Sequence, residues 1–136
     1  MENNNLEVEQ SILGALIKDP THINSRETLD RLDVNDFYSL AHKHIDQPIR
    51  KMSEQKKQID LDLLDEELQT VDFDCGGFIY LAQTMKASLG VSNLSGYVSV
   101  IKSLARTRDL QAALFNANEM IKGRSSAEDV ITELSS

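Results

Sequence analysis

Apolar residues recur along this chain almost everywhere at helical spacing. Val8, Ile12, Leu13, Leu16 and Ile17 share one face of a first predicted helix, with Asn5 placed to cap it and the stretch KDP at 18–20 to close it. Ile23, Leu29 and Leu32 give a short second helix after Pro20. A third runs from a cap at Asn35 through the stripe Phe37, Leu40, Ala41, Ile45, Ile49 and Met52. Pro48 removes a backbone donor inside that stripe, so a kink or break is expected near residues 44–48. Asp60 caps a fourth helix that carries Leu61, Leu64 and Leu68, with Asp62, Asp65 and Glu66 near its positive end. Residues 70–77 read as loop. A fifth helix opens at Phe78, turns Phe78, Leu81, Ala82 and Met85 toward the core, and stops at Gly90.

The pattern changes at Asn93. Nothing between Gly96 and Gly123 breaks a helix, and roughly thirty residues at 1.5 Å each make an arm of about 45 Å, which is expected to leave the globule. Leu94, Tyr97, Val98, Ile101 and Ala105 form its first stripe; Leu110, Ala113, Leu114, Ala117 and Ile121 form a second, alanine-rich one suited to close packing. The stretch GRSSAEDV then supplies a turn and a capping box, Ser125 facing Glu128, that starts a return helix near Ser126. No strand-like alternation or internal repeat occurs. The expected architecture is one all-α domain: a compact helical head over residues 1–90, then a long helix and the start of a helical hairpin over 93–136, with its second arm incomplete.

Composition narrows the class. At 136 residues, 40% hydrophobic and 26% charged, the chain can bury a core without staples. The one cysteine, Cys75, has no internal partner and no zinc-spaced companions, and the N-terminus MENNNLEVEQ is acidic and polar where a signal peptide is basic and then apolar. A cytoplasmic setting is expected, with no membrane span. The net charge of −8 opposes holding a phosphate backbone, so little or no direct DNA binding is expected.

Candidate chemistry is sparse. Gly76-Gly77 lacks the Lys-Ser/Thr of a P-loop and the third glycine of a dinucleotide site, and Asp72 and Asp74 beside it would repel phosphate; the pair reads as a helix entry. In AHKHID, His42 and His44 lie about 200° apart on a helix, while His42 and Asp46 at i and i+4 give two metal ligands, which is too few for a site. Carboxylate pairs such as Glu7/Glu9 and Asp65/Glu66 read as solvated faces, and Lys51, Lys56 and Lys57 as an ordinary loop group. No catalytic residues, metal ligands or cofactor are expected. Tyr80, about 200° from Phe78, is expected to project outward as a contact residue. Self-association is expected through the 93–136 segment, where Tyr97, Ile101, Leu110, Leu114 and Ile121 lie on stripes that half a return arm leaves uncovered.

Five stretches, LEVEQSILGALIKD, DFYSLAHKHI, IDLDLLDEEL, GGFIYLAQ and NLSGYVSVIKSLARTRDLQAALFNANEMI, occur in an order and spacing that resembles the N-terminal domain of bacterial and phage replicative DNA helicases, the DnaB family. The resemblance covers nearly the whole chain and is specific as a set. It implies a helical head and hairpin without the ATPase motor, domains that pair through their hairpins into a dimer and a hexameric collar in the full helicase, and docking of the C-terminal helicase-binding region of primase. It also implies that Glu7 and Tyr80 belong to the primase-facing surface. The alternative is a free-standing phage or prophage protein that mimics this domain to block or regulate a host helicase or primase; an acidic hydrolase is a third class. Asp46 and Pro48 depart from the family pattern, in which an aromatic and an unbroken helix follow HxHI.

Overall fold

The computed structural model describes residues 3–56, 58–123 and 126–135, and among them every regular element is helical. The order is α1 (Leu6–Lys18), α2 (Ile23–Arg31), a 3-10 turn (Val34–Asp36), α3 (Leu40–Glu54), α4 (Leu61–Gln69), α5 (Gly77–Ala87), α6 (Leu94–Lys122) and α7 (Ala127–Ser135). Asn5 caps α1 by accepting from the Val8 N–H at 3.1 Å, and Asp60 caps α4 by accepting from Asp62 at 2.7 Å, both as their sequence positions predict.

The centre of the head is α1. It packs against α3, α5 and α6, and Ile12, Leu13, Gly14, Ala15, Leu16 and Ile17 are all buried, so the helix is covered on nearly every side and not along one stripe. Around it lie Phe37, Ile45 and Ile49, then Leu64, Leu81, Leu94, Val98 and Ile101. Gly14 sets the α1–α5 distance. A methyl group there would run into the Thr84 carbonyl oxygen, closer than any real contact.

Three local expectations are corrected. Asn35 does not cap α3: it lies inside the 3-10 turn capped by Asp33, and Ser39 caps α3 by accepting from the His42 N–H. α3 runs unbroken through Pro48, whose buried ring fills the helix's inner side while its missing N–H forgoes the bond to residue 44. The first half of α6 belongs to the head, since Leu94, Val98, Ile101 and Ala105 complete its core. Cations on α6 reinforce that docking: Lys102 Nζ donates to the Arg31 carbonyl (2.7 Å) and Asp36 (2.9 Å), and Arg108 donates to the Asn3 and Asp36 carbonyls.

Past Gln111, which accepts from the Asn3 side chain, α6 continues for about three more turns without the head. α7 folds back against this part, Ala117 is buried, and Ser126 caps the return helix by accepting from the Asp129 N–H. The capping box expected of Ser125 lies outside the described residues.

Candidate partner-binding surface

Glu7 and Glu9 stand two positions apart on α1, about 200° around the helix, and the structure sends them to opposite environments. Glu7 is exposed, as the sequence suggests, whereas Glu9 is 1% exposed. Its carboxylate accepts from the backbone N–H groups of Tyr38 (2.8 Å) and Ser39 (3.2 Å), which stand ahead of α3, and from His42 Nδ1 at 2.8 Å. A carboxylate only accepts, so Nδ1 donates to Glu9; in the matching neutral tautomer Nε2 is the acceptor for the Tyr80 hydroxyl at 2.6 Å. α1, α3 and α5 are thereby joined through one buried chain, Tyr80 to His42 to Glu9.

This corrects the expected azimuth of α5. Tyr80 does not project: it is half-buried against the core with its ring nearly coplanar with that of His42 and end to end with it, and burial pushes its phenol above the usual tyrosine range. Leu81 and Thr84 are buried, while Phe78 and Ile79 are 43% and 72% exposed. The cause is the helix entry. Gly76 sits at φ 95°, Gly77 at φ 67°, and a Cβ on Gly76 would come within 2.6 Å of Tyr80 Cβ, so the tyrosine lies against the glycine backbone and the face turns by about one residue. The Gly76 N–H is taken by Asp74 at 2.8 Å.

His42 and Asp46 do not share a ligand. Asp46, fully buried, pairs with Arg50 Nε at 2.7 Å, and Arg50 also donates to the Leu29 and Leu32 carbonyls at the end of α2. Burial pushes the Asp46 carboxyl above its ordinary range, outweighing the pull of Arg50, and its Oδ1 has no hydrogen-bond partner. Among the described residues no cluster of three or more His, Cys, Asp or Glu could hold a metal, and no helix is long and apolar enough to cross a membrane.

The five residues expected at a self-association surface divide in two. Ile101 is 1% exposed and Tyr97 half-buried in the head, so Ile101 is a core residue and not a contact. Leu110, Leu114 and Ile121 are 59%, 55% and 61% exposed on the projecting half of α6. Phe115, Ile131 and Leu134 are exposed beside them on the hairpin, and the sequence reading missed all three.

A family model described as the DnaB-like helicase N-terminal domain matches residues 1–103. The chain belongs to that family. Among curated relatives, this DnaB-like N-terminal domain is 40% identical over 107 residues to the replicative DNA helicase DnaB of Pasteurella multocida, covering 77% of this chain and 22% of that protein. It is 26% identical over 133 residues to the replicative DNA helicase DnaC of Bacillus subtilis, covering 95% of this chain and 29% of the relative. The chain thus spans about a quarter of the length of the curated relatives it matches. A solved structure, the N-terminal domain of DnaB helicase from Mycobacterium tuberculosis, shares the fold with a TM-score of 0.84 and 23% identity over 99% of this chain and 97% of that one.

Proposed function

We propose that this domain is the non-catalytic collar unit of a replicative DNA helicase, which self-associates through its hairpin and docks primase at the replication fork. The observation that carries the reading is the apolar ridge on the hairpin. Leu110, Leu114, Phe115 and Ile121 on α6, with Ile131 and Leu134 on α7, expose six large side chains on the short segment that projects from the head. Soluble monomers seldom leave so many exposed together, and a second copy of the same hairpin covers them by the same contacts in both directions.

Primase docking draws support from family membership and from Glu7, an exposed carboxylate at the start of the central helix. Tyr80 enters differently than its sequence position suggests. With its hydroxyl committed to His42, it acts by holding the first turn of α5, and Phe78 and Ile79 are the side chains of that turn open to a partner. The chain carries no P-loop spacing, so unwinding and ATP turnover fall to a motor outside these residues.

Sedimentation velocity of the domain with and without the C-terminal region of primase tests both parts. The reading expects a concentration-dependent dimer alone and a larger species on mixing, with Glu7→Lys weakening the mixed species. A mixture that sediments as two independent proteins at micromolar concentrations contradicts the primase assignment.

A further inference from the structure

Residues 58–85 contain no lysine or arginine, yet Asp60, Asp62, Asp65, Glu66, Glu67, Asp72 and Asp74 all fall there, carrying all but one unit of the chain's net charge of −8. Charge this segregated is a property of one face, that of α4 and the loop after it. Beside that face lies a trough between α3 and α4. One end, about 390 Å³, is lined by Met52, Leu63, Glu66 and Thr70; the other, about 330 Å³, by His44, Pro48, Leu68 and Val71. Lys51 and Glu67 line both ends, and their ion pair of 3.2 Å crosses the trough between them.

Two features set this trough apart from an ordinary solvated crease. Leu63 is 53% exposed on a helix whose Leu64 and Leu68 are buried and whose Leu61 is half-buried, so an apolar side chain is left in water at the trough's edge. The bridging pair is also weak, since Lys51 and Glu67 are 60% and 44% exposed, and a pair so open to water yields readily to a competing cation.

We propose that the α3–α4 trough is a second docking surface, separate from the hairpin, for a basic amphipathic helix of a partner protein. Apolar side chains one to two turns apart on that helix enter the two ends, and a lysine or arginine between them takes Glu67 from Lys51. The acidic rim of α4 selects a cationic partner and speeds its encounter, and it repels nucleic acid and anionic lipid. α4 is nine residues, about 13 Å long, so the contact covers about two turns of the occupant.

The test is a titration of the isotope-labelled domain, followed by amide shifts. The probe is a 14-residue helical peptide of leucine and lysine with leucines at i, i+3, i+4 and i+7, and its leucine–glutamate counterpart is the control. The proposal expects saturable shifts centred on Met52, Leu63, Glu67 and Thr70 with the lysine peptide and none with the glutamate peptide. Leu63→Ser, at an exposed position, should weaken binding about tenfold with the fold unchanged, and Glu66→Lys/Glu67→Lys by at least as much. Shifts that never saturate, that spread over Asp72, Asp74 and distant acids, or that survive Leu63→Ser would show attraction by charge alone and overturn the proposal.

Discussion

Tyr80→Phe removes one hydroxyl and leaves the ring, and the structure assigns that hydroxyl a definite task. It donates at 2.6 Å to the Nε2 of His42, a side chain 2% exposed, whose other nitrogen is committed to the buried Glu9. A net hydrogen bond contributes about 0.5–1.5 kcal/mol, and a buried polar atom left without a partner costs about 1–3 kcal/mol. Because Tyr80 is only half-buried, water can reach part of the site, which places the expected loss in the overlap of those ranges, about 1–1.5 kcal/mol. For a domain of this size that is a fall in Tm of about 3–5 °C. Urea unfolding followed by circular dichroism should show a lower midpoint with an unchanged m-value. Glu9→Gln should couple to it in a double-mutant cycle, since both act on His42. A Tyr80→Phe protein within about 0.3 kcal/mol of wild type would mean that the hydroxyl faces solvent and that α5 has the azimuth its apolar spacing suggests.

Other substitutions probe the same framework. Gly14→Ala should destabilise by about 1–3 kcal/mol in urea despite alanine's better helix propensity, because the added methyl must push α5 away from α1; a neutral or stabilising result would show that the helices part freely. Asp46 makes a pH prediction. Its carboxyl is held above the unfolded value by burial, so its contribution is fully present below that value, near pH 4, and is lost as pH rises through the folded value. Between pH 4 and 7 the stability of wild type should therefore fall relative to Asp46→Asn, and a relative rise would show that the Arg50 pairing outweighs burial. Gly76→Ala should weaken the fold by at least about 1 kcal/mol by calorimetric melting, as it meets both a left-handed backbone and Tyr80 Cβ, and an unchanged melt would refute the tight entry.

Helix positions were largely legible because apolar periodicity and capping side chains are local signals. Asn5 and Asp60 cap where their spacing suggests, and Ile12, Leu13, Leu16, Ile45, Ile49, Leu64 and Leu81 are all core. What could not be read is whatever depends on a distant neighbour. Glu9 and His42 look like ordinary polar residues of amphipathic helices, and only the convergence of α1, α3 and α5 turns them inward as a satisfied network. Apolar spacing puts Phe78 in the core and Tyr80 outside it, but two left-handed glycines let Tyr80 and Thr84 face inward in place of Phe78. Pro48 predicts a kink or break near residues 44–48, and with Ile45 and Ile49 buried on either side of it the helix continues through without a break. Long stripes on α6 could not show where the head ends; Ile101 and Leu110 belong to one continuous helix, yet one is core and the other in water.

The projecting hairpin is proposed as the surface on which copies of this domain meet. Sedimentation equilibrium of wild type beside Leu110→Ser/Leu114→Ser, from micromolar to millimolar, decides the point, since both leucines are more than half exposed and their replacement should leave the head intact. Wild type should show a monomer–dimer equilibrium and the variant a monomer throughout, with identical circular dichroism. A wild type that stays monomeric at every concentration, or a variant that dimerises as strongly, would contradict it.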